Sequence, residues 1–340
     1  MARITEYLEI LLDGGDLSYE QSKGLLDKIF EGDVAEVQVA AFLTAMRMKK
    51  AVPCEFAGLA QSLRDHALKV ETGIDNLVDT CGTGGAPLKT FNISTAAAFV
   101  AAGAGAYVAK HGNRGITSKC GSADVLEALG VKIDCSAQLV AECIRQAKIG
   151  FMFAPMFHPA MKFVQPIRKS LDFRTAFNLL GPMANPAGAS AQVMGVADIS
   201  LLEMIADTLK LLGVKRAMVV HSSGLDEIST ISVTHVIELC DNKKLSYELD
   251  PGELGIVSPK LAELVGRDSQ YNAGIIKDIL AGKNKGPTRD IVLINAAASI
   301  MVAGLADDFT EGMVKAVESI DSGNALGSLN KMIEISNKKI

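Results

Sequence analysis

Three short stretches of the chain concentrate the residue types that hold phosphate and metal. The first is Asp79-Thr80-Cys81-Gly82-Thr83-Gly84-Gly85, with Thr90-Phe91-Asn92-Ile93-Ser94-Thr95 a few residues on, opening an Ala-rich run. Closely spaced glycines let the backbone approach a ligand and present several N–H donors to an anion. Hydroxyls and an amide at a helix start add side-chain donors where the helix dipole already favours phosphate. The bland alternative is a tight strand-to-helix connection. The Gly-Lys-Ser/Thr of a Walker A loop is missing, and the glycines do not have dinucleotide spacing.

The second stretch, Lys110-His111-Gly112-Asn113-Arg114, leads through Thr117-Ser118-Lys119-Cys120-Gly121-Ser122 into another helix. Its cations and hydroxyls suit a polyanion. Taken alone, it reads better as a solvated basic loop; convergence with the first stretch favours the polyanion. The third, Gly224-Leu225-Asp226-Glu227, sets adjacent carboxylates after a strand ending at His221. Mg²⁺ takes one or two carboxylates and fills its shell with substrate phosphates and water. A solvent-facing acidic turn is the alternative.

The elements that must position these loops fall into two groups. Up to about residue 70 the chain reads as helices only. Ser18 with Gln21, and Asp33 with Glu36, have the form of capping boxes, and Pro53 suits a first helical position. From Leu77 onward, β-branched runs alternate with Ala-rich helical stretches. The runs are 77–80, 107–109, 131–133, 149–153, 192–196 and 217–220. That alternation predicts an α/β sheet with helices on its faces. Residues 233–239 and 245–249, joined by Asp241-Asn242-Lys243-Lys244, predict an antiparallel pair, and 291–305 a buried helix. In open α/β sheets ligands bind beyond the carboxyl ends of strands, where all three stretches fall.

Composition narrows the classes of function. The 340 residues are 49% hydrophobic and 21% charged, which excludes a disordered chain. The net charge of −5, with no basic block, speaks against a nucleic-acid coat, as do the absent Trp and 5% aromatics against base stacking. Apolar stretches fall short of the ~18–20 residues a membrane span needs. No secretory signal is visible, so a soluble, cytoplasmic chain is expected. The six cysteines form no CxxC pair, which makes zinc an unattractive reading and buried thiols the expected one.

The run from Asp79 to Val131, containing GTGG, TFNIST, AKHGNR and GSADVLEALGV, resembles the anthranilate phosphoribosyltransferase family. So do His158 to Lys162, Arg174-Thr175 with Phe177-Asn178-Leu179-Leu180-Gly181-Pro182, Asn185-Pro186 and the Gly224–Glu227 turn. KHGNR with FNLLGP is specific, whereas GTGG is shared with pyrimidine nucleoside phosphorylases. The resemblance covers the whole chain. It implies a small helical N-terminal domain (1–70), which makes a homodimer contact, hinged to a large α/β domain (71–340) with a mixed, mostly parallel sheet flanked by helices. A segment near 160–185 is expected to pack back on the helical domain.

The implied reaction joins anthranilate and 5-phosphoribosyl 1-diphosphate, with Mg²⁺, to give N-(5-phosphoribosyl)anthranilate and diphosphate in tryptophan biosynthesis. By the same resemblance, Gly82, Gly85, Ala86, Thr90, Asn92, Ile93, Ser94 and Thr95 hold the phosphoribosyl diphosphate. Lys110, His111, Gly112, Asn113, Arg114, Gly115, Ile116, Thr117, Ser118 and Ser122 complete that site. Gly82, Asn113 and Arg168 meet anthranilate, and Ser94, Asp226 and Glu227 the metal. His158 lines the same channel as His111, and no acid or base is assigned. The chain departs from the family pattern at Ala86, where Asp is usual, at Asp172 for Gly, and at Ser222-Ser223 for a glycine-bearing loop. The competing readings are a pyrimidine nucleoside phosphorylase and a non-catalytic, nucleic-acid-binding relative. KHGNR with FNLLGP disfavours the first, and the acidic balance with an intact Asp226-Glu227 pair disfavours the second.

Overall fold

The computed structural model describes residues 4–115 and 119–338. Four helices open the chain: α1 (Ile4–Leu12), α2 (Tyr19–Glu31), α3 (Glu36–Lys49) and α4 (Pro53–Asp65). The Ser18–Gln21 capping box forms as expected, and Pro53 takes the first position of α4. The Asp33 box does not form. Asp33 follows the left-handed Gly32 that ends α2 and donates its N–H to Lys28 O at 3.0 Å, so it closes the previous helix. Helix α3 therefore begins later, behind Ala35, with no side-chain cap.

The remainder builds one sheet and its covering helices. In chain order the elements are β1 (Leu77–Thr80), α5 (Ile93–Gly103), β2 (Tyr107–Gly112), α6 (Ser122–Leu129), α7 (Ala137–Ala147) and β3 (Ile149–Phe153). Then come α8 (Ala154–Phe157), α9 (Gln165–Leu171), α10 (Phe177–Leu180), β4 (Ala191–Gly195), α11 (Leu202–Leu211), β5 (Arg216–Ser222), β6 (Thr234–Cys240) and β7 (Lys243–Leu249). The chain closes with α12 (Ser269–Leu280), α13 (Pro287–Val302), α14 (Phe309–Asp321) and α15 (Asn324–Ser336). Strand order is β3-β2-β1-β4-β5-β6-β7, parallel from β3 to β5 and antiparallel beyond. The hairpin loop is shorter than expected. Asp241 and Asn242 alone make it, both at positive φ (47° and 66°), and Lys243-Lys244 already belong to β7.

The expected strand at 131–133 is absent. Val131 donates to Leu126 O as the residue closing α6, and Lys132 N–H turns to Ser336 Oγ at 3.2 Å, which leaves no ladder to join. The apolar side chains of Val131 and Ile133 are nevertheless buried, which is what the β-like pattern detected.

Alternation along the central strands separates two cores. Val193, Met218, Val220 and Val236 face the layer containing α5 and the buried α13. Met194, Ala217, Val219, Ile237 and Leu239 face α11 and, through it, the N-terminal helices. Helix α4 lies on α11, and Arg64 donates to Leu212 O (3.4 Å) at the end of α11 and to Met183 O (2.7 Å) in the turn that follows α10. Val164, Ile167, Phe177 and Leu180 share the same core with Leu25 and Leu43 of the helices. Among the described residues no helix is long and apolar enough to cross a membrane.

Candidate active site

The strand order puts β1 beside β4, so the connections leaving their carboxyl ends run in opposite directions and leave a crevice. A cleft of about 510 Å³ opens there, lined by the glycine loop after β1, the start of α5, the end of β2, and Asp226-Glu227. The three stretches singled out by residue type thus meet in one cavity.

The glycine loop is shaped by close approach. Gly84 and Gly85 take φ of 65° and 82°, and a Cβ on Gly85 would overlap the Arg174 guanidinium. A Cβ on Gly82 would sit 3.1 Å from Asp226 Oδ2. Thr83 N–H is anchored on Gly195 O at 2.9 Å. Ala86, at the departure from the family pattern, is buried and brings no charge to the cleft wall; its carbonyl accepts from Lys89 Nζ at 2.6 Å. Asp172, the second departure, ends α9 at φ 50°, a left-handed position that Asp tolerates better than most residues.

Lys110 is no solvated cation. It lies inside β2, is 1% exposed, and donates to Thr80 O (2.6 Å), Thr80 Oγ1 (3.2 Å) and, more loosely, Ser94 Oγ (3.5 Å). Burial pulls its ammonium down, opposed by nearby Asp79 and Glu227. Asp79 is also buried and is fixed by Asn185 Nδ2 (2.7 Å) and His111 N–H (3.2 Å). Arg114 is exposed but engaged, donating to Asp124 at 2.9 Å and Glu127 at 3.0 Å. Asp124 also accepts Gly115 and Gly121 N–H, which holds the loop's base closed. Gly112, Asn113, Gly115 and Ser122 line the cleft. Ile116, Thr117 and Ser118 lie outside the described residues.

At the start of α5, Thr90, Asn92 and Ser94 reach the cleft, whereas Ile93 and Thr95 are buried in the core. The Thr95 hydroxyl has no partner among the described residues. Burial pushes the carboxyls of Asp226 and Glu227 above their ordinary range. For Glu227 the neighbouring Asp226 adds to this, against help from Lys110 and Ser94 N–H. Two mutually repelling carboxylates beside an open cleft form a donor set that a divalent cation would relieve. Among the described residues no cluster of three or more His, Cys, Asp or Glu could cage a metal. Asp226, Glu227 and Ser94 therefore fit an ion that completes its shell with substrate oxygens and water, as Mg²⁺ does.

Arg168 is not on the cleft wall. Its guanidinium sits behind it, 5.6 Å over the Phe177 ring and 3.4 Å from Oδ1 of the cleft residue Asn178. Burial lowers its pKa, and no carboxylate pairs with it among the described residues. The cleft also includes Lys89, Arg174, Asn178 and Asp198, which carry no site assignment from sequence. Arg174 stands in a recognisable motif, but nothing in its spacing shows that it reaches over Gly85.

The His111 and His158 rings lie 5.0 Å apart between centroids, tilted by 58°, with His111 Nδ1 3.1 Å from Gly181 O. Burial, then His158, pushes the His111 imidazole down to about 3, and burial pushes His158 down to about 4. Both are neutral at neutral pH. An imidazole depressed in the folded state protonates first in the unfolded chain, so its contribution is lost as pH falls below about 6.5. Acidification from pH 7 to 5 should remove about 2 kcal/mol per histidine. Thermal melts across that interval should fall less steeply for His158→Asn than for the parent, and parallel curves would contradict this.

The fold and the cleft together define a class. A glycosyl transferase family is matched twice: its helical bundle domain at residues 5–67 and its a/b domain at residues 74–326. Anthranilate phosphoribosyltransferase of Methanocorpusculum labreanum is 50% identical over 337 residues, 99% of each chain. The crystal structure of anthranilate phosphoribosyltransferase from Thermus thermophilus is 38% identical, with a TM-score of 0.92 over 97% of this chain and 99% of that one. The Saccharomyces cerevisiae enzyme in complex with PRPP and Mg is 30% identical, with a TM-score of 0.88 over 98% and 97%. The chain belongs to the anthranilate phosphoribosyltransferases, enzymes that transfer a phosphoribosyl group in tryptophan biosynthesis.

Proposed function

We propose that the cleft at the β1–β4 crevice binds 5-phosphoribosyl 1-diphosphate and anthranilate and joins them. The observation that carries this reading is the convergence on one cavity of the glycine loop, the α5 start and the Asp226-Glu227 pair. In the reaction the anthranilate nitrogen bonds to the anomeric carbon, the bond from that carbon to the diphosphate oxygen breaks, and the amine proton passes to solvent. The aromatic amine is neutral at physiological pH, so no strong base is required. The harder task is releasing diphosphate while positive charge develops on the ribose.

Backbone N–H groups of Gly82 and Gly85, with the dipole of α5, stabilise the departing anion electrostatically, while Thr83 N–H stays on Gly195 O. Ser94, Asp226 and Glu227 hold Mg²⁺, whose charge, when bound, offsets that of the diphosphate. Holding the amine behind the anomeric carbon supplies much of the remaining acceleration. Lys110 serves from below, fixing Thr80 and Ser94. A fluorescence assay should show Mg²⁺-dependent loss of anthranilate and no phosphorolysis of thymidine or uridine. Nucleoside cleavage without anthranilate turnover would sink the reading.

Arg168 contributes to anthranilate recognition in this scheme. A half-buried guanidinium without an acidic partner among the described residues is suited to a carboxylate brought by a substrate. Arg168→Ala should raise KM for anthranilate roughly ten- to a hundredfold, as for one hydrogen bond between charged groups. KM for phosphoribosyl diphosphate should move far less, and Arg168→Lys should recover part of the loss. Equal changes in both KM values would assign Arg168 to the fold instead.

The chain is further proposed to be a homodimer through residues 1–70, the helical domain. Leu12 of α1 and Val37 and Met48 of α3 are 72%, 75% and 79% exposed, apolar side chains on helices that pack together. Light scattering should give twice the chain mass, and Val37→Glu with Met48→Glu should halve it. An unchanged mass in that variant would place the contact elsewhere.

A further inference from the structure

The turn at the start of α5 is held from outside by a segment far away in sequence. Val265 pairs with Thr90 in an isolated antiparallel bridge, and Phe91 N–H donates to Leu264 O at 3.2 Å. Gly266 follows so closely that a Cβ there would lie 2.5 Å from Thr90 O and 2.7 Å from Phe91 Cα. The strap then enters α12, whose side chain Asn272 is 2% exposed. Asn272 Oδ1 accepts the N–H of Arg267 at 2.8 Å, and its Nδ2 donates to Asn92 Oδ1 at 3.0 Å.

Asn92 carries the connection onward. It stands at the N-cap of α5 but makes no side-chain cap bond there. Its amide instead donates to Cys120 O at 3.3 Å, and its Oδ1 also accepts from Cys120 Sγ at 3.3 Å. Asn92 is thus a cross-link between the turn that opens α5 and the loop that runs from β2 to α6. Asn272 decides which way that cross-link faces, since it offers Asn92 a donor and only an oxygen can point back. An amide is required at 272, because the same side chain must accept from one neighbour and donate to the other.

We propose that Asn272 is a positioning residue for phosphoribosyl diphosphate: through Asn92 it sets the geometry between the two loops that grip the substrate's phosphates. The inference rests on the binding reading of the cleft given above. Its effect falls mainly on phosphoribosyl diphosphate: Asn272 and its strap touch the α5 turn and not the region of Arg168 and Asn178, and of the anthranilate candidates only Asn113 stands on the cross-linked loop.

Asn272→Asp tests it with almost no change of shape. The carboxylate still accepts from Arg267 but opposes an oxygen to Asn92 Oδ1. KM for phosphoribosyl diphosphate should rise roughly ten- to fiftyfold, as for a buried polar group left unpaired, with KM for anthranilate little changed. Calorimetric titration of inorganic diphosphate should weaken by a similar factor. In an Asn92→Ala background the same substitution should add much less than in the parent, because the effect passes mainly through Asn92, with only the contact of Asn272 to the Cys120 thiol left. Equal rises in both KM values, no rise in either, or additive losses in the double variant would overturn the proposal. Should Asn272→Asp fail to fold, Gly266→Ala presses on the same turn through Thr90 and should show the same substrate-selective loss; an unselective loss, or none, overturns it. A parent protein that binds diphosphate but ignores anthranilate would instead fault the reading of the reaction, and the diphosphate titration would still judge Asn272.

Discussion

Replacing Asp226 and Glu227 together by alanine is expected to lower kcat/KM for phosphoribosyl diphosphate by about a thousandfold, as for two lost charge-assisted contacts. The protein should stay folded, with a melting temperature at pH 8 unchanged or higher. Both expectations come from the same observation. Burial, and for Glu227 the neighbouring Asp226, pushes the carboxyls above the usual range, so their ionisation opposes folding. A carboxylate with a raised pKa withdraws stability as pH climbs from its ordinary value toward the shifted one. Alanine both relieves that penalty and removes the oxygens proposed to hold Mg²⁺. Excess Mg²⁺ should not restore the double variant, whereas the single variants should regain part of their rate. A double variant with unchanged Mg²⁺ dependence would show the pair to be an acidic turn with no part in the reaction.

Gly195→Ala is expected to cost more than a hundredfold in kcat/KM, with about 1–3 kcal/mol of stability, the usual penalty for overfilling a packed site. Gly195 ends β4, and a Cβ there would overlap the Asp226 carbonyl and lie 3.1 Å from Asp226 Cα. The carbonyl of Gly195 also anchors Thr83 N–H. One added methyl group therefore pushes apart the glycine loop and the carboxylate turn, the two walls of the cleft proposed to take the diphosphate. The structure of the variant should show Asp226 displaced with the remainder of the sheet in place. Activity within a fewfold of the parent would mean that the carboxylate turn tolerates such a shift and is less constrained than its contacts imply.

Residue type and spacing made the three stretches that line the cleft legible, because glycine-rich turns, hydroxyl-rich helix starts and paired carboxylates have local chemical signatures. The same signatures said nothing about Gly195, Arg174 or Asn272, whose contributions depend on strand order and on chain segments that cross at a distance. Lys110 shows the limit from the other side. Its place in a basic run left a solvated cation as the alternative to a substrate contact, and β2 extends through Gly112 and carries it into the cleft floor, where Thr80 supplies the partners. The helical half was easy to read because caps and apolar stripes are local. The Asp33 box failed for a local reason too: the Gly32 turn used that residue first. Residues 131–133 had the burial of a strand without its hydrogen bonds, a distinction that composition does not carry.

The core that joins the N-terminal helices to one face of the sheet has a bearing on how the chain could be divided. Leu25, Leu43 and Leu59 belong to the same apolar body as Ile205, Val219 and Ile237, with Arg64 bonded into the far side. A chain begun at residue 74 would lose a layer of its own interior and expose the flank of α11 to water. Such a fragment should be insoluble without detergent, and calorimetry of the intact protein should record one heat-absorption peak in which bundle and sheet melt together.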